Sequence, residues 1–345
     1  MEGPNNASPM KTEIPDALKH DLPQTPWGKL IAATPVFMAV VATLLAGLAS
    51  SEMTRAQYCR ALAAQQQSKA GDQWGLYQAK RMRGSIAAGD ADMLHAMAVV
   101  HPFKEDALRA AITGVNAPAA GADASAAAPA GDDGKIVAEL DSPAGAAAAS
   151  MLKKGAVPKP TLTKISDPIQ AVIDAVAADK DEDSILTLVA PLKDADVDAM
   201  LAAAKGDADA FDAANKPTFS AIDQLNDQVS TISTPDGDAG IAITAARRDL
   251  SAARMKLYSS RYDAEARLNM AIANGYEVQV RMSNEVAERH HKRSRFFFFG
   301  MLAAQLGVVV STLAMAARQR SLLWGIAAAS GLAAVISAAI IFVTV

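Results

Sequence analysis

Three stretches of the chain carry no charged residue over a length that crosses a bilayer: residues 30–50 ("LIAATPVFMAVVATLLAGLAS"), 296–317 ("FFFFGMLAAQLGVVVSTLAMAA") and 322–345 ("LLWGIAAASGLAAVISAAIIFVTV"). A hydrocarbon core takes about 20 helical residues. Backbone placed there has to satisfy its own polar groups, which a helix does internally. The stretches therefore predict an all-α membrane protein with three transmembrane helices. Trp27, Trp324 and the phenylalanines 296–299 stand at span ends, where bulky rings favour the headgroup level. The first stretch is longer than the roughly 7–15-residue core of a cleaved signal. It follows a polar tail, residues 1–29, and is expected to remain as an anchor.

The spans also explain the composition. Hydrophobic residues make up 51% of the chain and aromatics only 5%, so alanine and the membrane segments supply the apolar content. A formal charge of −4 gives no global field for a nucleic-acid partner, and none is expected. The single cysteine, Cys59, excludes an intramolecular disulfide framework and fits either side of a bacterial inner membrane.

No proline follows Pro235, so nothing in the later part of the chain has to break a helix. From Ile243 the apolar positions recur every three or four residues: Ala246, Leu250, Ala253, Leu257, then, after a gap at Arg261, Ala264, Leu268, Ala271, Gly275, Val278, Met282 and Val286. Asp263–Arg267, Glu277–Arg281, Glu285–Arg289 and Glu288–Lys292 each set an acid four residues before a base, the order that supports a solvated helix face. Residues 243–295 thus predict a long amphipathic helix running into the second span. Its partner is expected to be residues 51–88, antiparallel, forming a helical hairpin stalk on the membrane. Because that first arm is shorter than the alanine-rich stripe it should cover, self-association as a homo-oligomeric coiled coil is expected.

Between the arms, residues 89–113 read as short helices. Residues 114–150 are so rich in Ala, Gly, Pro, Ser and Asp that they read as a flexible linker. Order returns in residues 161–233, a small inserted helical bundle. There Asp167-Pro168, Asp183 and Asp194 are expected to start helices, and Phe219, Ile222, Leu225, Val229 and Ile232 form a further stripe. This module is the expected site of a protein partner.

One anchor, then "QWGLYQAKRMR" with Trp74, Tyr77, Gln78, Ala79 and Lys80, then a charged "YDAEA" helix and a closing two-span hairpin, resembles a bacterial membrane-protein family known as domain of unknown function 4337. The resemblance covers residues 30–86 and 243–345. It implies a multi-pass membrane location and supplies no activity, cofactor or catalytic residue.

Trp74, Tyr77 and Arg81 lie along adjacent helical turns, so indole, phenol and guanidinium can stack. Either the rings fill the hairpin interface or they form a ligand patch. His290 and His291 point about 100° apart on a helix and do not face one metal. Neither an HExxH spacing nor paired cysteines accompany them, so no metal site is expected. Asp194, Asp196 and Asp198 imitate a calcium loop, but Ala199 and Lys205 stand where its glycine and closing acid belong. No phosphate loop or nucleophile elbow occurs, and neither an enzymatic role nor a cofactor is expected.

Gln305 is the one strongly polar side chain within the spans and is expected to bond across helices. Gly307 and Gly331 belong to four-residue repeats of small residues suited to close packing, within the hairpin or between protomers. Arg289, Lys292, Arg293 and Arg295 form a basic cluster beside the second span, suited to lipid headgroups. Near the membrane, Arg55, Arg60, Lys69, Arg281 and that cluster outnumber Lys11, Lys19, Lys29, Arg318 and Arg320, which favours a cytoplasmic stalk. The expected function is a multi-pass membrane scaffold or interaction protein, with a channel-like oligomer and a membrane-anchored enzyme as the competing classes.

Overall fold

The structure is a computed structural model that describes residues 26–115, 133–316 and 320–344. The polar tail to residue 25, the 116–132 part of the expected linker and the 317–319 part of the last turn, with Arg318, lie outside the described residues. The described chain is all-α: α1 (Pro26–Met97), α2 (Glu105–Val115), α3 (Asp133–Asp141), α4 (Pro143–Lys154), α5 (Asp167–Ala177), α6 (Glu182–Val189), α7 (Asp194–Thr231), α8 (Asp238–Ala316) and α9 (Arg320–Thr344). Three of these, α1, α8 and α9, contain stretches long and apolar enough to cross a membrane. The chain divides into two compact units, one of Met1–Ala61 with Asn284–Val345 and the other Leu62–Ser283.

In the first unit the first part of α1, the end of α8 and α9 pack mostly through small side chains. Ala42, Leu45, Ala49, Phe297, Ala304 and Ala334 form its core. Ser311, Ala314, Ala327 and Ser330 are buried as well. The α1 and α8 segments run antiparallel, since Leu45 lies against Gly300, Ser294 Oγ donates to the Ala49 carbonyl at 2.8 Å, and His290 Nδ1 meets Glu52 Oε2 at 2.6 Å. Bulky residues face out: Phe37, Leu44, Phe299, Leu306, Leu313, Leu332 and Ile336 are exposed.

The second unit has the opposite arrangement. Leu108, Ile112, Ile136, Leu140, Leu152, Ile222, Leu225, Ile243, Leu250 and Leu257 are buried in one large core. Ile169, Val172, Ile185, Val189 and Val197 close on Val278 and Met282 in another. The stripe of α8 is therefore covered by α2–α7 of the same chain, which removes the expected reason for covering it with a second copy. The gap at Arg261 is filled, because its guanidinium lies over the Phe219 ring at 4.2 Å.

Residues 133–150 are not a linker. They form α3 and most of α4, with Ile136, Leu140, Ala148 and Ala149 buried. Ser142 caps α4 by accepting from Gly145 N–H at 2.9 Å, Pro143 opens the first turn, and Gly155 at φ 62° ends it. A side chain at Gly145 would collide with the Glu139 carbonyl, so the tight α3–α4 corner needs glycine. Alanine-rich composition hid the helix because small side chains give no visible apolar stripe, yet they let α4 approach its neighbours closely.

Helix starts in the inserted region shift by one or two residues from expectation. Ser166 precedes α5, and Asp181 caps α6 through Ser184 N–H at 2.9 Å. Asp167, Asp183 and Asp194 sit within first turns, where the helix dipole favours a carboxylate. The expected separate helices around Val197 and Phe219 are one helix, α7, which continues through Pro217; beside it Asn215 Nδ2 donates to the Phe211 carbonyl at 2.7 Å.

Candidate functional site

The aromatic–basic motif on α1 faces α8 within the second unit. Trp74 and Tyr77 meet edge to face, with centroids 5.4 Å apart and planes at 88°. Trp74 Nε1 donates to Glu277 Oε1 at 2.7 Å. Arg81 does not join a stack with the two rings, as its Nη1 donates to Asp263 Oδ1 at 3.0 Å. Beside it, Lys80 pairs with Glu265 and lies over the Tyr262 ring at 5.5 Å. Gln66 Oε1 accepts from Ser283 Oγ at 2.8 Å. These residues form a polar lattice that fixes the register of two antiparallel helices.

That lattice corrects the expected solvated face of α8. Only Glu285–Arg289 forms the expected pair four residues apart. Asp263 goes to Arg81, Glu277 to Trp74 and, in the first unit, Glu288 to Arg60 at 3.9 Å. Sequence spacing cannot tell an acid reaching along its helix from one reaching across to a neighbour.

A second cluster had no sequence signal, because its members lie on α7 and α8. Asp223 accepts from Tyr258 Oη at 2.7 Å and Arg254 Nη2 at 2.9 Å. Arg254 lies over the Tyr258 ring at 5.1 Å, and Tyr258 meets Phe219 edge to face at 5.4 Å. Burial, then the hydrogen bond to Asp223, pushes the Tyr258 phenol up to about 12, so it stays a neutral donor throughout the physiological range. Arg261 completes the group by donating to Glu265 Oε1 at 2.6 Å.

The second unit also carries surface grooves. One, of about 510 Å³, lies between the extended segment at Thr163 and α7. Its Asp207 carboxylate accepts from Thr163 N at 2.6 Å and Oγ1 at 3.0 Å. A groove of about 300 Å³ is lined by His95, His101, Lys153, Lys154 and Lys256, with His101 also near Asp249 at 3.6 Å. Among the described residues no three His, Cys, Asp or Glu side chains converge as a metal site.

In the first unit the small-residue positions are used within the chain. Gly307 lies against Met38, Ser330 and the Ala327 carbonyl, and Gly331 lies against Met38. Gln305 is exposed on the outer side of α8 and makes no hydrogen bond among the described residues. Of the headgroup candidates, Arg289 is tied to Glu285 and Arg293 is half-buried, while Lys292 and Arg295 are exposed three residues apart.

Residues 27–128 match the model of a family described as Domain of unknown function (DUF4337). The chain is similar to that family over this segment, which takes in the Trp74–Lys80 motif. Residues 243–345, the other part of the expected resemblance, lie outside the match. No curated protein and no solved structure matches the chain.

Proposed function

We propose that the protein is a scaffold held in a bacterial inner membrane by its three apolar helices, self-associating there and presenting its Leu62–Ser283 unit to a protein partner, and that it is not an enzyme. The membrane placement is supported by the inverted burial of the first unit, where small residues pack inward and large apolar ones face outward, as lipid rewards and water penalises. Lys292 and Arg295 are the cations left to meet anionic headgroups. The excess of basic residues on their side of the spans supports a cytoplasmic location for that side.

One observation carries the interaction role. On α1, Met82, Ile86, Met93 and Met97 recur at helical spacing on the outer face and are 56–74% exposed. Gly71, Gly75 and Gly89 lie bare on the same helix, with no atom beyond the adjoining turns of that helix within 4 Å of where a side chain would begin. Flexible methionines on an open face suit a partner surface. The inserted module turns its large apolar residues onto α8, so this stripe is the better candidate contact.

A photo-crosslinking residue at Met93 should give one discrete adduct in native membranes, and the same probe at Asp167, far along the chain on the inserted module, should give none. Equal, diffuse labelling at both would defeat the interaction role. Single-channel conductance from purified protein in planar bilayers would replace the scaffold with the channel-like oligomer. Cys59 reports the side: a membrane-impermeant maleimide should label it only after cell lysis, and labelling in intact cells with a permeabilised outer membrane would place that side in the periplasm.

A further inference from the structure

Resting on the membrane reading above, we propose that a second copy of this chain packs against the outer face of α8 along Phe298, Leu302, Gln305, Val309 and Thr312, with the Gln305 amides of the two copies hydrogen-bonded to each other. The five residues are spaced four, three, four and three apart, the repeat that keeps one seam facing a neighbour in a left-handed helix pair. All five are exposed. The opposite face of the same helix is occupied, with Gly300, Ala304, Gly307, Ser311 and Ala314 buried. Small-residue packing is thus spent inside the protomer, and contact between copies is left to the seam.

The Gln305 amide identifies the occupant. It lies nine residues into an uncharged stretch of 22 residues, 296–317. Nearby hydroxyls are satisfied locally: Thr43 donates to Ala39 O at 2.9 Å, Ser311 to Val308 O at 2.9 Å, Thr312 to Val309 O at 2.8 Å and Ser330 to Ile326 O at 3.0 Å. Gln305 alone on the seam has donors and an acceptor with no described partner, and an acyl chain offers none. A second copy related by an axis along the membrane normal brings an identical amide to the same depth. Because a carboxamide both donates and accepts, two of them satisfy each other without any other residue.

The test uses the full chain in native membranes on a Cys59→Ser background. Gln305→Cys should form a disulfide-linked dimer on mild oxidation, whereas Leu332→Cys, on exposed α9, should not. Separately, Gln305→Leu should weaken the dimer in detergent on the order of tenfold, the fold-change an interhelical hydrogen bond confers, and Gln305→Asn should recover part of it. If the wild type is multimeric by mass but the Gln305→Cys variant does not link and Gln305→Leu changes nothing, the seam is wrong while self-association stands. A monomeric wild type overturns both, and an adduct of the Gln305→Cys variant to a different protein overturns the choice of a second copy. Failure of the membrane reading itself would appear as purification of the chain from the soluble fraction, which neither seam result mimics.

Discussion

The two compact units use the same pair of helices, α1 and α8, in opposite ways. In Leu62–Ser283 the cores are built mainly of large apolar side chains and charges hold the helices in register; in the other unit most buried residues are alanine, glycine or serine, with Leu45 and Phe297 beside them, and many large apolar side chains face out. Water drives burial of bulk, whereas lipid is as apolar as leucine and leaves close packing and hydrogen bonds to hold helices together. One continuous helix can therefore serve two solvents if its buried residues change size along its length.

The sharpest way to break this comparison is to truncate a large residue in each unit. Leu257→Ala, in the second unit's core, should cost about 2–5 kcal/mol and lower the thermal midpoint measured by circular dichroism. Leu332→Ala, exposed on α9 in the first unit and off the proposed seam, should leave that midpoint nearly unchanged. Equal losses would mean that the two units bury bulk alike.

Enlarging a small residue reverses the roles. Gly300→Leu would drive a side chain toward Leu45 and the Ala334 carbonyl, whose atoms lie 3.2 and 3.3 Å from where its Cβ would be. A loss of about 1–3 kcal/mol is expected, seen as reduced survival of the folded particle after heating. In the second unit, Gly75→Ala meets open space and should stabilise α1 by up to about 1 kcal/mol.

Charge sharpens the contrast with smaller effects. The Tyr258 phenol has its folded pKa raised to about 12 from an ordinary value of 10.0, so its contribution to stability is complete below pH 10 and is lost as pH rises toward 12. Ultraviolet titration should show one late-ionising tyrosine that disappears in Tyr258→Phe. Smallest is Arg81→Ala, which removes an exposed ion pair to Asp263 and should cost less than about 1 kcal/mol, vanishing in high salt.

Much of this was legible in the sequence. Uncharged runs gave the three apolar helices, and the three-to-four spacing from Ile243 marked residues that the structure buries, Leu250, Leu257 and Leu268 among them. Helices α3 and α4 were hidden because alanine contributes close approach rather than an apolar stripe. The partners of Glu277, Asp263 and Asp223 were hidden because they lie on other helices, and spacing reports only neighbours along one helix. Gln305 was visible as a polar residue in an apolar run, but only the packing of α8 against α1 and α9 shows that it faces outward.

The chain has only three tryptophans, at positions 27, 74 and 324, and two of them sample the two units directly. Trp74 lies in the second unit, bonded to Glu277, and Trp324 lies on α9 in the first. Single-tryptophan variants, with the other two positions changed to phenylalanine, can be reconstituted into vesicles of acyl-chain-brominated lipid. Strong quenching of Trp324 fluorescence with Trp74 unaffected is the expected result; equal quenching of both, or none at Trp324, would contradict the assignment of the two units to different solvents.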